Sequence, residues 1–222
     1  MEQQVSESAS QQVSGSDHRK RVRLGVLLSG RGSNFLNIAD CIERGELRGC
    51  EIALVLSNVA DAPGLAAARE RGFTAVAQPS PGVPRAEHDR AMLEHLRAHA
   101  VEYVILAGYM RVLTPEFLQA FPQRVLNIHP SLLPSFPGLD AQRQALEYGV
   151  KVAGCTVHFV DDAVDHGVVV MQRLVRVREN DTVARLSKRI LAQEHRLYPE
   201  AIARVLSGRY EVRGRQYVPR LV

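Results

Sequence analysis

Short apolar runs and helically spaced apolar positions take turns along most of this chain. Val22 to Leu28 is a short apolar run closed by turn residues, which predicts a buried strand. Leu36, Ile38, Ala39 and Ile42 then recur at helical spacing across residues 34–43. The alternation continues with a strand over 52–56, a helix over 64–71, a short strand over 74–77, a helix over 85–99 and a strand over 103–107. Pro115 opens a further helix, since its fixed φ and missing N–H suit the first helical position. Repeated βα units of this kind predict a parallel sheet with right-handed crossovers. A strand beginning at Val125-Leu126 must stop at Pro130, which cannot donate to a sheet ladder. Beyond it lie a helix over 141–147, an alternating strand over 153–160 and a β-branched strand over 168–170. Residues 182–206 form a long amphipathic helix with Asp181 as its expected N-cap, and residues 210–218 form a hairpin turning near Gly214.

Composition narrows the class. A chain of 222 residues that is 45% hydrophobic can bury a full core, and the pattern favours one domain over residues 21–222. Residues 1–20 are rich in Ser and Gln with no apolar core, so they read as a disordered extension and not as a secretory signal. No run is long and apolar enough to cross a bilayer. Cys41, Cys50 and Cys155 are scattered and odd in number, which argues against a disulfide framework or a thiolate metal site and suits a reducing cytoplasm. The net charge of +4 is spread along the chain, and no basic cluster interleaves with aromatics as nucleic-acid binding requires. Small anionic ligands fit that charge better.

The candidate chemistry centres on RVLNIHPSLLPSFPGLDAQR, residues 124–143. Strand alternation puts Asn127 and His129 on one face, so a donor amide and a titratable ring converge at the C-terminal edge of the sheet, where open α/β sheets bind ligands. Pro130, Pro134 and Pro137 stiffen the loop that follows. The alternative is a buried histidine satisfied by its neighbours. Ser29-Gly30-Arg31-Gly32-Ser33-Asn34 is a Gly-rich strand-to-helix turn whose N–H groups could meet a phosphate, with Ser33 or Asn34 as a cap. Phe35 stands where a dinucleotide fingerprint needs its third glycine, so a single phosphate fits better than a nicotinamide cofactor; a tight turn with no ligand is the other reading. The loop Gly108 to Leu113 follows a strand and faces the same crevice, where Met110 and Leu113 read equally as pocket lining or as core. In the acidic turn of residues 161–167, Asp165 is the carboxylate best placed to reach His129 and favour its charged form.

Taken together, SGRGSN, LAGYMRVL, NIHPSLLPSFPGLDAQRQAL, GCTVHFVDDAVDHG and QEHRLYP resemble, in order and spacing, the folate-dependent phosphoribosylglycinamide formyltransferases of purine synthesis. The resemblance runs from about Val22 to Leu206. NIHPSLLP is shared with the wider formyltransferase group, including methionyl-tRNA formyltransferase and formyltetrahydrofolate deformylase, whose extra domains this length does not accommodate. The resemblance implies a single-domain α/β, Rossmann-like formyltransferase fold with a mostly parallel central sheet and helices on both faces. It places the catalytic trio on Asn127, His129 and Asp165, and the phosphoribosylglycinamide contacts on Gly32, Ser33, Asn34 and Glu194. Folate contacts fall on Arg85, Met110, Arg111, Val112, Leu113 and Asn127. Asp140 and His166 depart from the usual PGLH and DGG.

The implied reaction is transfer of a formyl group from the co-substrate 10-formyltetrahydrofolate to an amine in IMP biosynthesis. Asn127 and a protonated His129 would meet the tetrahedral oxyanion, and Asp165 would keep His129 charged. No metal, nucleic acid or membrane is called for, and the chain is expected to act on small molecules in the cytoplasm as a monomer or homodimer. A formyltetrahydrofolate hydrolase and a non-catalytic nucleotide-binding module are the competing readings.

Overall fold

Strand β1 (Val22–Leu28) runs through the centre of the sheet, and its last five residues are buried. The computed structural model describes residues 21–220; the extension expected over residues 1–20 lies outside them. After β1 come α1 (Ser33–Glu43), β2 (Cys50–Ser57), α2 (Pro63–Glu70), β3 (Ala75–Ala77), α3 (Arg85–Ala98), β4 (Tyr103–Leu106) and α4 (Pro115–Ala120). The second half adds β5 (Val125–His129), α5 (Ala141–Tyr148), β6 (Val152–Phe159), β7 (Val169–Arg176), α6 (Val183–Leu206) and the hairpin β8 (Tyr210–Arg213) and β9 (Gln216–Pro219).

The seven-stranded sheet has the order β3-β2-β1-β4-β5-β6-β7. Its first five strands are parallel, whereas β5–β6 and β6–β7 pair antiparallel. Phe35 and Ile38 of α1, Leu65 of α2 and Leu186, Ile190 and Leu197 of α6 pack in one apolar cluster, and Met92, Leu93 and Leu96 of α3 with Phe117 of α4 in a second. Helices therefore cover both faces of an α/β sheet, as the pattern predicts.

Strand β7 is longer than the predicted 168–170. Gln172 and Arg173 interrupt the apolar run, but β7 lies at the edge of the sheet, where polar side chains are tolerated. The N-cap of α6 is Thr182, whose hydroxyl accepts from Arg185 N–H, and not Asp181, whose carboxylate is drawn to Arg189. Neither Ser33 nor Asn34 caps α1: Gly32, in the left-handed region at φ 70°, occupies that position with no side-chain cap.

Helix α6 is fastened to the sheet by Tyr198. This fully buried residue directs its hydroxyl at the carbonyls of Leu106, 3.0 Å away, and Leu126, 2.9 Å away. With one proton, the hydroxyl donates to one of them at a time. Pro199 lacks the N–H that would bond the His195 carbonyl one turn back. Asn37 of α1 supplies the missing donor through Nδ2 at 2.6 Å.

Candidate active site

The strand order reverses between β1 and β4, and the loops leaving those strands are joined there. Ser29 N–H donates to the Gly108 carbonyl at 3.1 Å, and Met110 N–H donates to Ser29 Oγ at 2.8 Å. Such a switch point opens a crevice above the carboxyl ends of the strands. A cavity of about 690 Å³ occupies it, bounded by the Gly-rich turn from Ser29 to Asn34, by Gly108 and Met110, and by Glu194 of α6.

Backbone close approach gives the turn its shape. A Cβ on Gly32 would lie 2.9 Å from Gly64 Cα, and a Cβ on Gly64 would lie 2.9 Å from the Gly30 carbonyl oxygen. Gly64 N–H also donates to that oxygen at 3.0 Å. The turn thus lies against the start of α2, with Gly32 to Asn34 at the positive end of α1. Across the cavity, Ala184, Ser187, Lys188, Leu191 and Glu194 line it from one face of α6. Asn34 Nδ2 donates to Glu194 Oε2 at 2.8 Å, so the side chain expected as a cap instead ties turn to helix. Burial raises the Glu194 pKa, and the Asn34 bond opposes the rise only in part.

Strand alternation separates this cavity from a polar cluster. Ile128 lines the cavity, while Asn127 and His129, its neighbours along β5, face the other way and converge on Asp165. Asp165 Oδ2 is 3.2 Å from His129 Nδ1 and accepts from Gly138 N–H at 2.8 Å; Oδ1 accepts from Asn127 Nδ2 at 3.4 Å. His129 Nε2 donates to the Phe136 carbonyl at 2.8 Å, so the loop after Pro130 fixes the ring. His158 is the member that sequence reasoning left without a role. It lies opposite Asn127 in the β5–β6 pairing, accepts from Asn127 Nδ2 at 3.1 Å and lies 3.6 Å from Asp165 Oδ1. Alternation over 153–160 set its face, but its partner depends on the antiparallel register.

The expected influence of Asp165 on His129 meets an opposing one. Burial lowers the His129 pKa and outweighs the Phe136 carbonyl and the Asp165 charge, which both raise it. For Asp165, burial pushes the pKa up, but His158, the Gly138 N–H and the nearby imidazole charge prevail and the net direction is down. Both ring nitrogens of His129 face acceptors, Nε2 the Phe136 carbonyl and Nδ1 the Asp165 carboxylate. No group of three or more His, Cys, Asp or Glu among the described residues is arranged to hold a metal ion.

The predicted folate contacts do not share one environment. Met110 is 65% exposed and lines the cavity, whereas Leu113 is 4% exposed in the core cluster that holds Leu27 and Phe117 and is not among the residues that line the cavity. Val112 is exposed, Arg111 half-buried, and Arg85 is exposed at the first position of α3, outside the residues that line the cavity.

A profile described as formyl transferase matches residues 22–202. The chain belongs to the formyl transferase family. Among relatives, it is 41% identical to the phosphoribosylglycinamide formyltransferase of Escherichia coli (strain K12), over 84% of this chain and 88% of that one. It is 44% identical to the human trifunctional purine biosynthetic protein adenosine-3, over 86% of this chain but only 19% of that protein. In structure it resembles glycinamide ribonucleotide transformylase 1 from Symbiobacterium toebii, with a TM-score of 0.88, 50% identity and coverage of 91% and 95% of the two chains. No helix of this formyl transferase chain, among the described residues, is long and apolar enough to cross a membrane.

Proposed function

We propose that this chain moves the formyl group of 10-formyltetrahydrofolate to the amine of N1-(5-phosphoribosyl)glycinamide, giving the formylglycinamide ribonucleotide and tetrahydrofolate for IMP synthesis. The observation that carries this reading is the placement of the Asn127–His129–Asp165 cluster and the cavity with its Gly-rich turn on opposite sides of the end of β5. Two substrates approaching from the two sides would meet there. Relatives named for this activity support the choice of acceptor.

In this reading the N–H groups of Gly32, Ser33 and Asn34 hold the acceptor's phosphate, and Glu194 orients the rest of the acceptor. Met110, Arg111, Val112 and Leu113, with Arg85, hold the folate. Bound folate supplies the activated formyl carbon. The amine attacks that carbon, a C–N bond forms, and negative charge gathers on the formyl oxygen. Asn127 Nδ2 answers that charge by redirecting its longer bond, the 3.4 Å contact to Asp165. Water and Asp165 relay the proton released by the amine, and a protonated His129 adds a second favourable charge near the oxyanion. That proton leaves with the folate nitrogen as the tetrahedral intermediate collapses and the C–N bond to folate breaks. The three cysteines are free and buried, which suits direct transfer and a reducing cytoplasm.

The test is purified protein with 10-formyltetrahydrofolate, with and without the glycinamide ribonucleotide, following tetrahydrofolate. Product only with acceptor supports the reading. Formate released without acceptor would make the protein a hydrolase, and no turnover in either arm would leave a nucleotide-binding module.

A further inference from the structure

We propose that the C-terminal β8–β9 hairpin holds Asp165 in its working position, with Arg215 at the hairpin turn as the positioning residue; this rests on the role given to Asp165 above. Asp165 has φ 51°, a left-handed conformation that a non-glycine residue keeps only when its surroundings over-determine it. Its own side-chain bonds account for part of that constraint. The next residue is tethered as well. The His166 carbonyl accepts from Arg215 Nη2, reaching across 49 positions of sequence. Arg215 Nη1 lies against the His166 ring, 2.8 Å from Nε2, and the ring's Nδ1 is 2.8 Å from Asp161 Oδ2. Asp161 Oδ1 in turn accepts from Ala163 N–H at 3.2 Å. The loop over 161–167 is thus closed on itself through the His166 ring and held from outside by one guanidinium.

The hairpin that carries Arg215 is itself seated on the residue where β6 ends. Tyr210 and Tyr217 stack at 4.6 Å between ring centroids, and Tyr210 stacks on Phe159 at 5.9 Å. The hairpin therefore grips the chain at Phe159, before the acidic loop, and at His166, near the loop's end. Surface ion contacts are ordinarily worth little. This one ends on the main-chain carbonyl adjoining Asp165, so its effect falls on where the carboxylate points.

The test measures kcat, both KM values and melting temperature for Arg215→Ala, Asp165→Asn and the double variant. Arg215→Ala should lower kcat about tenfold, within the range that a small misplacement of a reacting group produces, with both KM values within about twofold and an unchanged melting temperature. In the Asp165→Asn background Arg215→Ala should have no further effect, because the group it positions has lost its function. Arg215→Lys, which returns a donor to the carbonyl, should recover most of kcat. Wild-type kcat in Arg215→Ala, a multiplied loss in the double variant, or a loss that follows the melting temperature and is not recovered by lysine would each overturn the proposal. Wild-type kcat in Asp165→Asn would instead overturn the role of Asp165 itself, so the two failures are distinguishable.

Discussion

Gly64→Ala tests the acceptor turn with a single methyl group that presses on Gly32 from the side of α2. An added Cβ at residue 64 would stand 2.9 Å from the Gly30 carbonyl oxygen, 2.9 Å from Gly32 Cα and 3.0 Å from Gly32 N, so something must move. Helix α2 cannot move readily, since its Leu65 and Ala68 are fully buried. Gly30 and Arg31, by contrast, are not buried, so the turn gives way. Overpacking of this kind costs about 1–3 kcal/mol. Replacing glycine in a helix returns up to about 1 kcal/mol. The net loss of about 0–3 kcal/mol corresponds to a fall in Tm of up to about 12 °C for a chain of this size. Displacing the turn should cost at least one charge-assisted hydrogen bond to phosphate, about 1.5–3 kcal/mol, and so raise the acceptor KM roughly 10- to 100-fold. The folate KM should stay within about twofold. Steady-state kinetics with each substrate varied, alongside thermal melting, reads all three quantities. A lowered Tm with an unchanged acceptor KM would mean that α2 shifts instead, and equal rises in both KM values would remove the turn from the acceptor site.

Other expectations follow from the same geometry. Asp165→Asn should reduce kcat by about 10²-fold and move the His129 pKa still lower, because a charge that opposes the effect of burial is lost; NMR titration of the ring and single-turnover rates check both, and an unmoved pKa would refute the coupling. Glu194→Gln should raise the acceptor KM about tenfold or more without lowering Tm, since an amide keeps the Asn34 contact and avoids burying a charge. Asn37→Ala should lower stability by about 1–3 kcal/mol in a denaturant titration, because the His195 carbonyl loses its donor beside Pro199; an unchanged midpoint would refute that account. His129 has a folded pKa below its ordinary value, so its contribution to stability is complete above the unfolded pKa and declines as pH falls through the folded one. The pH slope of Tm near and below pH 6.5 should be shallower in His129→Gln.

Much of this architecture is legible in the sequence because local rules and tertiary demands agree. The run from Val22 to Leu28 becomes β1 with those limits, and Pro115 and Pro130 mark a helix start and a strand end because their chemistry leaves no other choice. Both N-cap expectations failed where a longer-range partner competed, Glu194 for Asn34 and Arg189 for Asp181. The convergence of Asn127 and His129 follows from period-two alternation, whereas His158 joins them only through a register that no single strand encodes. The lowering of the His129 pKa depends on how deeply the fold buries the ring, and a spacing pattern carries no depth. Gly64 reads as an ordinary glycine at a helix start, since its meaning lies in a backbone more than thirty positions earlier.

Helix α6 also constrains how this chain can change its acceptor. The face bearing Ser187, Lys188, Leu191 and Glu194 is continuous with the turn bearing Tyr198, which the carbonyls of β4 and β5 hold in place. One residue inserted between Lys188 and Glu194 would rotate the upstream half of that face by about 100° away from the cavity. One inserted between Glu194 and Tyr198 would turn the whole cavity-lining face out of line. Length variation is therefore confined to the segment before Thr182, and new acceptor preferences have to arise by exchange of side chains along a single row. A combinatorial library restricted to Ala184, Ser187, Lys188 and Leu191 would sample that freedom while leaving the anchored part of the helix intact.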